Sequence, residues 1–101
     1  MKLVIATLVE EFQNDVLNLF KEANIESFSS SDIDGHKNAS TILKASNWLS
    51  TEKGGTDSRM LFSFTDDERI DFLFKLIKDY NSSLEINSMV RSIVLPIERF
   101  I

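Results

Sequence analysis

The order of apolar and polar residues along the first third of the chain predicts a strand, a helix and a second strand. Residues 3–9 form a continuous apolar run followed by acids, which is typical of a central strand buried on both faces. Residues 12–23 place apolar side chains at helical spacing, which predicts an amphipathic helix of about three turns. Residues 25–34 are rich in serine and have only a weak strand pattern. A strand is predicted here mainly because the neighbouring predicted strands need a partner.

The second half of the chain repeats this order of strand, helix and strand. Residues 59–64 show the two-residue period of a strand. Residues 65–68 match a capping box, in which the threonine and the glutamate would satisfy each other's backbone amides at a helix start. The inner face of that helix is predicted to carry Ile70, Leu73, Phe74, Ile77 and Tyr80. Residues 89–95 predict a last strand, which Pro96 closes in a position suited to a sheet edge.

This order predicts a single α+β domain over residues 1–101 with the ferredoxin-like split βαβ arrangement. Four antiparallel strands would form the sheet, two helices would cover one of its faces, and a long loop, residues 35–58, would join the second and third strands. The first and third strands carry apolar residues at both parities, as in Leu3, Val4 and Ile5. The uncovered face would then expose a large apolar patch, which usually marks an interface.

Composition and charge exclude several classes of protein. The 101 residues carry a net charge of −5 with scattered basic residues, which argues against nucleic-acid binding because phosphate contacts need a clustered basic face. The chain has no cysteine, so disulfides and thiolate metal sites are excluded. The apolar run at the start is too short to span a membrane and lacks a cleavage pattern. We therefore expect a cytoplasmic protein without direct membrane insertion.

Three stretches of the chain resemble the PII signal-transduction proteins and their PII-like relatives. Residues 1–5, MKLVI, fit the opening of that family, and residues 23–35, ANIESFSSSDIDG, are similar to its second strand and the glycine at the base of its long T-loop. Residues 94–98, VLPIE, are similar to its last strand. The resemblance implies a homotrimer with ligand sites in the clefts between subunits and a loop, here residues 35–58, that contacts an effector.

Other residues depart from the family pattern where nucleotide phosphates are held. Nucleotide-binding members have glycine where this chain has Lys37, and a glycine-rich loop where this chain has residues 81–88, without glycine or lysine. Glycine allows the backbone conformations that cradle phosphates, so an adenine nucleotide is the less favoured ligand. The chain looks most like short, degenerate PII-like proteins, some of which are associated with heavy-metal efflux systems. The candidate ligand-binding residues are Gly35, His36, Lys37, Arg59 and Arg91.

The only histidine, His36, is a candidate metal ligand together with Asp34. Imidazole suits zinc, copper and nickel, and three copies would converge or alternate around a trimer. A solvated loop histidine without a ligand is the alternative interpretation. The cofactor is therefore undetermined at this stage, with a divalent or transition metal ion as one candidate.

The segment around Trp48 is a candidate docking element. Ile42, Leu43 and Trp48 give it an apolar character that is unusual for a plain linker of this length. Two interpretations stay open. The segment docks on a partner or a neighbouring subunit, or it folds back over the edge of its own sheet.

No residue pattern indicates catalysis. Cysteine is absent, His36 is the only imidazole, and a helix N-terminus explains the acidic run 66–68. We therefore expect a non-enzymatic PII-like homotrimer that binds a small ligand or metal ion between subunits. It would signal through residues 35–58 to a membrane transporter or another effector. The alternatives are a ligand-free interaction scaffold and a divalent-metal-binding trimer of the cation-tolerance type.

Overall fold

The computed structural model of the chain describes residues 1–34 and 57–101. The strands are β1 (Lys2–Val9), β2 (Ser29–Asp34), β3 (Asp57–Thr65) and β4 (Arg91–Pro96), and the helices are α1 (Gln13–Glu22) and α2 (Asp67–Asn81). Short 3-10 helices at Glu10–Phe12 and Ile86–Ser88 precede α1 and β4.

The four strands form one antiparallel sheet in the order β2-β3-β1-β4. With one helix after β1 and one after β3, this is the ferredoxin-like split βαβ arrangement. The predicted fold class is therefore confirmed. β3 begins at Asp57, so the last two residues of the predicted loop 35–58 belong to a strand. Residues 35–56 lie outside the described residues.

Both helices pack on one face of the sheet, where alternate residues of the central strands meet them. Val4, Ala6 and Leu8 of β1 point to this face and are buried together with Leu61 of β3. The buried residues of the helices in the same core are Val16, Phe20, Ile70, Leu73 and Ile77. Burial of each large side chain contributes about 1.5–3 kcal/mol, so this layer holds the helices on the sheet. The opposite face of the sheet has no helix on it within the described residues.

The chain leaves α1 through a left-handed residue, and β2 starts later than the sequence pattern predicts. Asn24 has a φ of 61°. The backbone N–H of Ile25 then donates to the Phe20 carbonyl at 3.0 Å, and the Ile25 side chain is buried in the core. Residues 25–28 therefore do not pair with β3. The strand predicted over residues 25–34 is wrong for these four residues.

Asp66, and not Thr65, caps the N-terminus of α2. Thr65 is the last residue of β3 and pairs with Lys2 of β1, which keeps its backbone extended. The Asp66 carboxylate accepts a hydrogen bond from the Arg69 backbone N–H at 3.0 Å and another from the Arg69 guanidinium. These contacts, of which the backbone hydrogen bond has the largest effect, hold the pKa of Asp66 below its usual value. The predicted capping box of Thr65 and Glu68 is therefore wrong.

Tyr80 joins the two helices through the carboxylate of Asp15. The Tyr80 hydroxyl donates to Asp15 Oδ2 at 2.7 Å, and its ring meets Phe12 edge-on with centroids 6.2 Å apart. Burial, the hydrogen bond to Asp15 and the negative charges of Asp15 and Glu11 raise the pKa of Tyr80 to about 12. The neutral phenol is therefore the form that links α1 to α2.

Because Tyr80 is the only tyrosine, the near-ultraviolet absorbance of tyrosinate reports this contact alone. We expect a pKa of about 12 in the folded chain, against about 10 in the unfolded chain. Since the folded-state pKa is the higher one, the stabilising contribution is complete below about pH 10 and is lost as the pH rises towards 12. Asp15→Asn should lower the pKa by removing a negative charge. Equal pKa values in the folded and unfolded chains would contradict the contact.

Candidate functional site

The uncovered face of the sheet carries three rows of side chains that run across β3, β1 and β4. Strand register sets these rows, because residues paired across antiparallel strands point to the same face. The rows are Phe64–Leu3–Leu95, Phe62–Ile5–Ile93 and Met60–Thr7–Arg91, and we call this surface the open face. Its first two rows are entirely apolar. The second set of apolar residues in β1 and β3 therefore lies on the face opposite the helices.

The open face exposes large apolar side chains to solvent in the single chain. Phe64 is 57% exposed, Leu95 44% and Ile93 37%. Arg91 is the only charged residue in the three rows, although the chain carries 16 acidic and 11 basic side chains. A contiguous apolar surface without acids is suited to contact with another protein surface.

At one end of the sheet, which we call the loop end, β2 finishes at Asp34 and β3 starts at Asp57. Near this end Arg59 forms ion pairs with two carboxylates. Arg59 Nη1 lies 2.7 Å from Asp32 Oδ1, and Nη2 lies 3.0 Å from Glu10 Oε1. The guanidinium thereby ties β2 and the 3-10 helix after β1 to β3. Because two acids balance its charge, Arg59 adds little net positive potential for a bound anion.

Arg91 also lies at the loop end, but on the opposite face of the sheet. It pairs with Thr7 of β1, whereas Arg59 pairs with Leu8, and neighbouring residues of a strand point to opposite faces. The Arg91 guanidinium donates to the Ile86 carbonyl at 3.4 Å and forms no ion pair with an acid of the described residues. The two arginines predicted to bind one ligand therefore do not converge within a single chain.

Asn81, the last residue of α2, fixes the start of β4. Its side-chain Nδ2 donates to the Val90 carbonyl at 2.9 Å, and the Val90 backbone N–H donates to its Oδ1 at 2.8 Å. The amide side chain therefore satisfies both backbone groups of Val90, as a strand partner would. This contact sets the position of Arg91, which follows directly.

The sequence pattern does not identify Glu10 or Asn81 as parts of this end of the sheet, and it does not show that Asp32 pairs with Arg59. Glu10 is 49 residues from Arg59 along the chain, and their contact depends on the register of β1 and β3. Asparagine near the end of a helix is a recognised stop signal, and that signal points to Asn81 without revealing its contact with Val90.

Most of the other predicted site residues lie outside the described part of the chain, namely Gly35, His36, Lys37, Ile42, Leu43 and Trp48. Asp34, the second predicted metal ligand, is the last residue of β2 and pairs with Asp57. Within residues 1–34 and 57–101, no group of three or more His, Cys, Asp or Glu side chains is arranged to hold a metal ion. No helix in the same ranges is long and apolar enough to cross a membrane.

Comparison of the sequence with models of known protein families found no family that matches this chain. Comparison with curated proteins likewise found no match.

Proposed function

We propose that this chain is a non-enzymatic regulatory protein of the PII-like kind, which assembles into a homotrimer through its open face. The ferredoxin-like fold agrees with the resemblance, although a fold alone does not fix a function. The observation that carries the proposal is the pair of apolar rows, Phe64–Leu3–Leu95 and Phe62–Ile5–Ile93, on the side of the sheet opposite the helices. Covering them with other copies would stabilise an assembly by about 25 cal/mol per Å² of apolar surface.

A second copy of the chain suits the open face for an electrostatic reason. With a net charge of −5, two copies repel each other over most of their surfaces. Contact through the open face brings no carboxylates of its three rows together, because these rows contain none. Depletion of charge and enrichment of aromatic and aliphatic side chains are typical of homo-oligomer interfaces.

We place the ligand at the loop end of the open face. Arg91 lies there, on the face that assembles, and has no acidic ion-pair partner among the described residues. In an assembly Arg91 would lie at a subunit boundary, where residues of a neighbouring copy can complete a site for a small anion or a metal ion. Binding would favour one arrangement of the region that joins β2 to β3, provided that the ligand binds the two arrangements unequally.

The proposal includes a cytoplasmic location and an effector protein such as a membrane transporter. The location is the one expected from the sequence. The effector follows from the resemblance to PII-like proteins, some of which are associated with heavy-metal efflux. A ligand-free scaffold that keeps the trimer is the second candidate. The ion pairs of Arg59 with Glu10 and Asp32 favour it, because they already neutralise one of the two arginines of the candidate ligand site.

Thermal unfolding against a panel of ligands separates the sensor from the scaffold. The panel contains adenine nucleotides, bicarbonate, and zinc, copper, nickel and cobalt salts. A ligand at about a hundred times its Kd adds about 2.7 kcal/mol to the free energy of unfolding, which raises Tm by several degrees. Arg91→Gln and His36→Ala are measured beside the wild-type chain.

Loss of a ligand-induced shift in Arg91→Gln would place the ligand at the loop end of the open face. Loss in His36→Ala alone would place it at the histidine. The absence of a shift with every ligand would favour the scaffold. A chain that remains monomeric in solution would contradict both candidates.

A further inference from the structure

Two adjoining cavities form a groove at the end of the sheet opposite the loop end. Their volumes are about 430 and 320 Å³, and they share Asn24 and Arg69 among their lining residues. The larger cavity follows the last residues of β3, 63–65, and the smaller one reaches Phe72 of α2. We call the two cavities together the far groove.

Three features of the smaller cavity favour a bound cation. Glu68 and Phe72 stand four residues apart on α2, so they are neighbours on the helix surface, and both are exposed. A cation that lies against an aromatic ring is attracted by it, and a carboxylate beside the ring adds to the attraction. Ala23 at the C-terminus of α1 lines the same cavity, where the negative end of the α1 dipole lies.

The carboxylates of the far groove keep their negative charge available for a partner. Arg69 is the basic residue that lines both cavities, and its guanidinium binds the Asp66 carboxylate. Among the described residues, Glu26 of the larger cavity and Glu68 of the smaller one form no ion pair. The net charge of −5 on the whole chain adds a long-range attraction for a basic partner.

The larger cavity also borders a stretch of β3 that lacks a strand partner on one side. β2 begins at Ser29, opposite Phe62, whereas β3 continues to Thr65. Within the described ranges, no strand pairs with residues 63–65 on the β2 side. An unpaired strand edge can bind the extended main chain of another segment. The far groove is therefore better suited to an extended peptide than to a compact ion.

We propose that the far groove binds an extended basic segment of a partner protein, with one lysine or arginine side chain against Glu68 and Phe72 and a second against Glu26. Side chains at alternate positions of an extended segment point to the same side, so both basic groups can face the groove. The inference does not rest on the proposed assembly. Phe64 is the one lining residue of the far groove that also belongs to the open face.

Fluorescence anisotropy with a labelled hexapeptide, in which arginine alternates with threonine, tests this site. We expect Glu68→Gln, Phe72→Ala and Glu26→Gln each to raise the Kd of the peptide about fivefold. Phe72→Tyr keeps an aromatic ring and should bind the peptide like the wild-type chain. Phe72 is 47% exposed, so its replacement changes the surface more than the core, and circular dichroism checks that each variant is folded.

Asp79→Asn is the matched control for the loss of one negative charge. Asp79 is exposed on the same helix, about three turns or about 16 Å from Glu68, and it lines neither cavity. This distance exceeds the screening length of about 8 Å at physiological salt. The Kd of the control should therefore stay within about twofold of the wild-type value.

Four results would overturn the proposal. Equal weakening by Asp79→Asn and Glu68→Gln would show that binding follows only the net charge of the chain, and the absence of peptide binding at millimolar concentration would leave the far groove without this partner. A peptide with methylated main-chain nitrogens that binds equally well would contradict pairing with β3. Spermine that binds as tightly as the peptide would indicate a site for free polyamines.

Sedimentation equilibrium of the same variants separates this proposal from the proposed assembly. Glu68→Gln and Phe72→Ala should leave the mass of the particle unchanged, because neither residue belongs to the open face. A variant that lost both peptide binding and assembly would contradict a separate site at the far groove.

Discussion

Replacement of Ile93 by lysine is expected to convert the assembly into folded monomers. Ile93 pairs with Ile5 in the second row of the open face and is 37% exposed, so a lysine there stays solvated in the single chain. In the assembly its ammonium group would be buried without a partner, at a cost of several kcal/mol. A loss of about 3 kcal/mol weakens assembly by about a hundredfold. Analytical ultracentrifugation over a range of concentrations measures this change, and circular dichroism checks the fold.

Ser30→Lys is the matched control for this substitution. It makes the same change of charge in the other edge strand of the sheet. Ser30 pairs with Leu61 of the core, so it points to the helix side, where it is exposed. The control should assemble like the wild-type chain. Equal assembly of the two lysine variants would show that the open face is not the contact surface.

Asn81→Ala is expected to lower the free energy of unfolding by about 2–4 kcal/mol. The substitution leaves both the N–H and the carbonyl of Val90 without their partner, and Val90 is only 2% exposed. Each buried backbone group without a hydrogen bond costs about 1–3 kcal/mol. Chemical denaturation followed by circular dichroism measures the change.

Two further variants show whether the Asn81 amide itself is responsible. Asn81→Asp keeps an acceptor for the Val90 N–H but has no donor for the Val90 carbonyl, so its loss of stability should be intermediate. Ser83→Ala removes only a local hydrogen bond of 3.0 Å to the Tyr80 carbonyl at an exposed position, and it should stay within about 0.5 kcal/mol of the wild-type chain. An Asn81→Ala chain as stable as the Ser83→Ala chain would show that the two hydrogen bonds between Asn81 and Val90 are not what stabilises the fold.

β4 connects these features of the molecule. Asn81 holds Val90, the residue before β4, and the strand then supplies Arg91, Ile93 and Leu95 to the open face. A substitution of Asn81 is therefore expected to affect the open face as well as the stability of the fold.

Hydrophobic periodicity is sufficient to predict the elements that bury one face. The helical spacing of α2 identifies Ile70, Leu73 and Ile77, which are buried, because a helix on a sheet can bury only one stripe of its surface. β2 is harder to predict from its own residues, since it is a mostly polar edge strand. Its start at Ser29 depends on where Ile25 enters the core and on pairing with β3.

Contacts of the candidate site depend on tertiary register, which sequence spacing does not contain. The pairing of Arg59 with Glu10 and Asp32 requires three segments to be aligned in the sheet. The helix cap differs for a similar reason, because Thr65 is held by β3 and Asp66 takes its place. The roles of His36 and Trp48 stay predictions, since both residues lie outside the described ranges.

The mass of the wild-type particle in solution tests most directly whether the open face joins copies of this chain. Sedimentation equilibrium from nanomolar to micromolar concentrations gives this mass without any label or substitution. We predict a particle of three times the chain mass of 11.5 kDa, which dissociates only on dilution. A particle of 11.5 kDa at every concentration would contradict the proposed assembly.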